Sequence, residues 1–181
     1  MQNQKHLLSS VYEKYVDSLF SYGCKFTGDR ETIKDCIHDV FVKLYEKEEI
    51  ISIRNLKYYL LRMLRNRISD KLTEMQRWHE LDENGFSLLQ PSGEDCYIED
   101  EKTVQMKQYM EKLFEHLTGK QKEAVYLHFM EKMDYDDIGQ LLGMNHQSVK
   151  NLVHRALLRL RERMGDKPSF ILLLLIHRAI R

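Results

Sequence analysis

The sequence predicts an all-α protein: two small helical domains joined by an acidic linker, the second containing a helix-turn-helix. Three observations carry this. The 181 residues include only 2 prolines and 8 glycines, and the apolar side chains recur at three and four rather than at two. Charge is partitioned along the chain: residues 1–80 hold 14 basic and 12 acidic side chains, 81–103 hold 1 and 7, and 104–181 hold 13 and 9. A formal net charge of zero therefore divides into +2, −6 and +4. Mildly basic ends around an acidic middle suit two nucleic-acid-facing modules and a linker. Finally, residues 134–163 place apolar, glycine, cap and basic residues in the register of a helix-turn-helix that runs on into a basic helix.

In the first domain, 1–80, Leu7, Leu8, Val11, Tyr12, Tyr15, Leu19 and Phe20 form one stripe of an amphipathic helix. Gly23 and Thr27-Gly28-Asp29 break it. Asp29 is placed to cap a second helix, with Ile33, Ile37, Val40, Phe41 and Leu44 inward and Asp35, His38 and Asp39 on the other face. Residues 46–55 lose the period and read as a loop. A third helix follows, with Leu56, Leu60, Met63, Leu64, Ile68, Leu72 and Met75 inward.

The stretch 81–103 is polar, acidic and interrupted by Pro91-Ser92-Gly93, which predicts a linker. Its 23 residues reach ~75 Å when fully extended. Two turns of duplex DNA measure about 70 Å, so the two ends of one chain can lie on sites two turns apart.

The second domain, 104–166, opens its first clear helix with a capping box, Thr118-Gly-Lys-Gln121, ahead of Ala124, Val125, Leu127 and Phe129. Ile138 and Leu142 share a face of the next helix. Gly139 permits a close crossing, Gly143 takes the turn in the left-handed conformation, and Asn145 caps the following helix. Val149, Leu152 and Val153 turn back to the core. His146, Gln147, Lys150, Asn151, His154 and Arg155 are left outside. The tail 167–181 carries the apolar run Phe170–Ile176. It is too short to span a bilayer, which takes ~20 residues, so no direct membrane insertion is expected. The run either packs back on the domain or is covered by a partner protein.

Cys24, Cys36 and Cys96 show no metal-type spacing and read as buried or neutral thiols of a reducing cytosol. The opening Met-Gln-Asn-Gln-Lys-His leads into an amphipathic pattern rather than a secretory core. A cytoplasmic location follows.

Two helices carry the chemistry. Between Arg54 and Lys71 stand Arg54, Lys57, Arg62, Arg65, Arg67 and Lys71 against one acid, Asp70. Tyr58, Arg62, Arg65 and Ser69 share one face. Arginines meet phosphates, and a neighbouring aromatic ring stacks on an unpaired base, a combination suited to single-stranded or melted DNA; a solvated basic face is the alternative. On the helix from 146, Lys150 and Arg155 are phosphate-type residues, and Gln147 and Asn151 suit base edges. Arg159, Arg161 and Arg163 extend the charge. Asp35 and Asp39, with His38 between them, form a solvated face, a docking surface for a basic protein, or a carboxylate pair for a metal. No third ligand, phosphate-cradling glycine loop, nucleophile elbow or zinc motif accompanies the pair. The expectation is no enzyme, no catalytic residue, no metal and no cofactor.

With these residues in place, the chain resembles the extracytoplasmic-function (ECF) sigma factors of bacterial RNA polymerase, the minimal group with only regions two and four. Asp35-Cys-Ile-His-Asp-Val-Phe41 is similar to the family's Asp-x-x-Gln-Asp/Glu-x-Phe stretch, and Tyr59-Leu-Leu-Arg-Met-Leu-Arg-Asn66 to its Trp-Leu-x-Arg-Ile-Ala-x-Asn. Leu117 through Arg161, including Ser148-Val-Lys150 and His154-Arg-Ala-Leu157, is similar to region four. The resemblance covers both domains and implies a factor that directs promoter recognition, DNA melting and transcription initiation.

It also implies roles for residues. Asp35, His38 and Asp39 would dock on core RNA polymerase. The segment from Ile50 to Lys57, with Tyr58 and Tyr59, would read the minus-ten element of promoter DNA. Arg62, Arg65 and Asn66 would hold the opened strand. His146, Gln147, Ser148, Lys150, Asn151, His154 and Arg155 would read the minus-thirty-five element, and the acidic linker would pass through polymerase channels. An anti-sigma factor is the further partner implied. The chain departs from the family pattern at His38 (usually glutamine), Tyr59 (usually tryptophan) and Leu152 (often arginine), and the Phe170–Ile176 tail lies beyond it. The residues leave two other classes open: a free-standing helix-turn-helix regulator, which has no use for the basic-aromatic helix, and a nuclease built on Asp35 and Asp39, which lacks a third ligand.

Overall fold

A computed structural model describes residues 2–46, 53, 55–74, 86–88 and 111–164, the side chains of residues 2–5 and 164 excepted. The chain divides into two compact units, Met1–His79 and Glu80–Arg181. Among the described residues there are helices and turns and no strand. No described helix is long and apolar enough to cross a membrane. Arg54, Met75, Pro91 to Gly93, Cys96 and the Phe170–Ile176 run lie outside the described residues.

The first unit packs three helices against one another: α1 (Gln2–Gly23), α2 (Arg30–Tyr45) and α3 (Leu56–Glu74). α1 stops where the sequence breaks. A Cβ on Gly23 would lie 2.6 Å from Ile33 Cγ2, so the end of α1 runs hard against α2. Asp29 caps α2 as expected: its carboxylate accepts from the backbone N–H groups of Glu31 and Thr32 at 3.1 and 3.2 Å, and from the Thr32 hydroxyl at 2.8 Å. Ile33, Ile37, Val40, Phe41 and Leu44 are buried as their spacing requires, and Cys36 joins them.

Several expectations about this core change. Tyr12 is 46% exposed, with its ring edge-on to Phe41 at 5.0 Å, so it rims the core instead of filling it. Leu61 is fully buried although it lies off the predicted stripe. α3 packs on both α1 and α2, which widens its buried arc. Leu56 and Met63, at the margins of that stripe, are only half-buried.

Lys25 lies completely buried in the turn after α1. Desolvation of its ammonium lowers its pKa from 10.5 to about 8, opposed by the Cys24 thiol. Below pH 8 the folded and unfolded chains both carry the proton, so the burial cost is constant and complete. Between 8 and 10.5 only the unfolded chain retains the proton, and native stability rises with pH. Comparing the native chain with Lys25→Met by denaturant unfolding at pH 7 and pH 11 is expected to show the native chain gaining roughly 3 kcal/mol on the variant. A pH-independent difference would contradict the buried ammonium. Burial also pushes the Cys36 thiol up to about 11 and raises that of Cys24, so both remain protonated at neutral pH.

The second unit contains a helical turn at 111–114, then α4 (Gly119–Phe129), α5 (Tyr135–Leu142) and α6 (His146–Met164). The Thr118 capping box forms with both of its hydrogen bonds, at 3.1 and 3.3 Å. α4 is buried more completely than one amphipathic stripe predicts: Gly119 through Leu127 are nearly all covered, Gln121, Lys122 and Glu123 included, whereas Phe129 is half-buried. Part of the reason lies in the acidic stretch. Phe86 and Leu88 are 3% and 1% exposed, and the Phe86 ring meets Tyr126 edge-on at 5.7 Å. An apolar pair two residues apart thus anchors this part of the 81–103 stretch to the second unit.

Candidate nucleic-acid interface

The turn between α5 and α6 is fixed by backbone geometry. Asp134 caps α5 by accepting from the Asp137 N–H at 2.8 Å. Gly143 ends it at φ 68° and ψ 35°, the left-handed conformation that its sequence position calls for. Gly139 has a different use from the expected one. A Cβ there would lie 2.5 Å from the Met144 carbonyl oxygen, so its missing side chain admits the turn itself. The Met144 N–H donates to the Gly139 carbonyl at 2.7 Å. Asn145 then caps α6, accepting from the Ser148 N–H at 2.8 Å. Leu141 is buried and Leu142 half-buried, the reverse of the predicted stripe.

α6 is two-sided. Val149, Val153, Ala156 and Leu160 are buried. His146, Gln147, Lys150, Asn151, His154 and Arg155 are exposed together on the other side, with Ser148 and Leu152 half-buried. Gln147 Nε2 donates to Asn151 Oδ1 at 3.0 Å, and Arg155 Nε donates to the Asn151 carbonyl at 3.3 Å. The two amides thus form a pre-arranged pair flanked by cations, which is the chemistry of a helix that reads base edges between phosphates. Arg159 leaves this set: its Nη1 donates to the buried Gln121 Oε1 at 2.9 Å and ties α6 to α4.

On the first unit, Asn55 starts α3. Its side chain accepts from the Tyr58 N–H and its carbonyl from the Tyr59 N–H, each at 3.1 Å. This sets Tyr58 and Tyr59 in the first turn. Arg62 Nη1 donates to the Tyr58 hydroxyl at 2.9 Å, which brings the aromatic ring and the cation together one turn apart. Arg62 and Asn66 are exposed, and Tyr58, Tyr59 and Arg65 half-buried. The face predicted from the spacing of 58, 62 and 65 is therefore present as an aromatic-cationic ridge.

Arg67 does not belong to it. Its Nε donates to Asp39 Oδ2 at 2.6 Å, and this bond holds the guanidinium protonated even more firmly than usual. The same bond divides the predicted docking trio. Asp35 and His38 stand exposed on α2, while Asp39 is half-covered and engaged with α3. His38 also borders a groove of about 660 Å³ between α1 and α2, whose apolar lining includes Tyr12, Phe20, Phe41, Val42 and Tyr45. With Asp39 so engaged, the carboxylate pair suits a docking face better than a metal site. Among the described residues no three His, Cys, Asp or Glu side chains stand close enough to hold a metal ion.

Comparison with known proteins matches each unit separately. Residues 11–79 match the family Sigma-70 region 2, and residues 107–160 match Sigma-70, region 4. The RNA polymerase sigma-E factor of Streptomyces avermitilis is 27% identical over 161 residues, 86% of either chain. That of Streptomyces coelicolor is 28% identical over 158 residues, 84% of this chain and 85% of its own. Among solved structures, the sigma factor RpoE of Bartonella quintana, crystallised with the anti-sigma factor NepR, matches with a TM-score of 0.60 at 22% identity. The match covers 88% of this chain and 98% of that one.

Proposed function

The chain belongs to the sigma-70 family as an ECF-type RNA polymerase sigma factor for promoter recognition and transcription initiation, and from that premise we propose how its residues divide the work. Core RNA polymerase docks on α2 through Asp35 and His38 and along the apolar groove beside them. The ridge of Tyr58, Tyr59, Arg62, Arg65 and Asn66 reads the minus-ten element and holds the parted strand. The exposed side of α6, from His146 to Arg155, enters the major groove of the minus-thirty-five element. Asp39 supports the docking face by holding α3, and contacts polymerase less than its neighbours do. The rest of the acidic stretch 81–103, beyond the anchored Phe86 and Leu88, passes through channels that carry nucleic acid. An anti-sigma protein covers the same surfaces when the factor is silent, in the cytoplasm.

One observation carries this assignment. A single chain presents both a helix that exposes amides and cations on one side, suited to paired DNA, and a helix with a ring-and-guanidinium ridge, suited to unpaired DNA. A free-standing duplex-binding regulator has no need of the second helix. The factor performs no bond-breaking chemistry; the polymerase supplies it. Initiation by core polymerase tests the proposal. Adding the chain is expected to start transcripts at a cognate promoter, and Asp35→Lys is expected to weaken assembly with core by more than about ten-fold. Tight duplex binding by the chain alone, with no effect on core, would favour the free-standing regulator.

A further inference from the structure

We infer that Asp136 and Tyr135 position the His146 ring so that its Nε2 meets a base edge, and that α6 draws its specificity at one base pair from this held imidazole. This rests on the reading of α6 as the helix in the major groove.

The argument starts from one hydrogen bond. His146 Nδ1 lies 3.0 Å from Asp136 Oδ1. An ionised carboxylate only accepts, so Nδ1 carries the hydrogen. That leaves Nε2 as the ring nitrogen turned to a base edge. The ring plane is held as well. Tyr135 meets the His146 ring edge-on at 5.6 Å and 90°. Tyr135 is itself stacked on His128 at 4.5 Å and 24°. His128 is anchored in turn: its Nδ1 lies 3.0 Å from the Met133 carbonyl, which also only accepts. The line from His128 on α4 through Tyr135 on α5 ends at His146, the first residue of α6. In helix-turn-helix units that end of the recognition helix approaches the base edges.

A single hydrogen-bonding atom held at that point discriminates, because each of the four base-pair orientations presents a different donor and acceptor pattern in the major groove. One such hydrogen bond gives a preference of about five-fold. Asp136 is 70% exposed. A carboxylate this close to DNA opposes the phosphates, so it lowers affinity for every sequence while it sharpens one position. A residue that only stabilised the fold would do neither.

The test is selection from duplexes randomised across the minus-thirty-five region, using the full chain assembled with core polymerase and sequencing the bound fraction. Wild type is expected to prefer one base pair about five-fold at the position His146 meets. His146→Ala and Asp136→Ala should both flatten that position and leave the others, with Asp136→Ala binding the pool at least as tightly as wild type. An unchanged position in either variant, or a uniform loss of all preferences with Asp136→Ala, overturns the inference. Asn151→Ala separates the two levels. If it too alters no position, the reading of α6 as the recognition helix fails, and the assignment of His146 falls with it.

Discussion

Gly139→Val is expected to destabilise the second unit by about 3 kcal/mol, near the upper end of overpacking costs, and to reduce binding at the minus-thirty-five element by more than ten-fold. The Cβ alone would meet the Met144 carbonyl oxygen at 2.5 Å. That carbonyl belongs to backbone, so it cannot swing aside as a side chain does. The turn is also laced from the other direction by the Met144 N–H bond to the Gly139 carbonyl. Relief requires moving Met144, and with it the Asn145 cap that starts α6. The neighbouring glycine provides the comparison. A Cβ on Gly143 would meet nothing within 4 Å, and its only difficulty is φ of +68°. Gly143→Ala is therefore expected to cost about 1 kcal/mol, the ordinary penalty of a left-handed residue, and to keep most DNA binding. Denaturant unfolding and duplex binding by the assembled polymerase measure both. Equal tolerance at the two glycines would contradict the close approach at Gly139.

The second large effect lies in the other unit. Tyr59→Ala and Arg62→Ala are expected to slow promoter opening by roughly ten-fold or more, on the scale of one lost base-stacking contact. Initial binding of closed promoter is expected to change about two-fold or less, because α6 governs that step. Arg62 has two attachments to lose: its charge, and its hydrogen bond to the Tyr58 hydroxyl at 2.9 Å. Tyr58→Phe removes only the second and should cost about five-fold, one hydrogen bond's worth. Opening is followed by the fluorescence of an unpaired-base probe at the minus-ten element, and closed binding by the same promoter at low temperature. Equal losses in both steps would count against strand capture by α3.

The features legible in the sequence are those set by neighbours a few residues apart. Asp29 before α2, the Thr118–Gln121 box, Gly143 in the left-handed turn and Asn145 before α6 each act within four residues. The exposed side of α6 was legible for the same reason, since helical period assigns it. What the sequence hid is tertiary. Asp39 and Arg67 are 28 residues apart, and Gln121 and Arg159 are 38 apart. No local pattern distinguishes these arginines from the ones that face DNA. Leu61 is buried because α3 has two neighbours, which its own periodicity does not record. Phe86 and Leu88 were masked by their acidic surroundings, whose composition reads as a solvated tether.

The division of labour between the two units is the claim on which the rest depends, and run-off transcription with purified core polymerase tests it most directly. A promoter carrying both elements should give transcripts only when the chain is added. Weakening α3 with Tyr59→Ala should be rescued on a pre-melted template, which bypasses opening, whereas weakening α6 with Lys150→Ala should persist on the same template, whose minus-thirty-five element stays paired. If instead the chain leaves core polymerase silent on intact and pre-melted promoters alike, the account is contradicted.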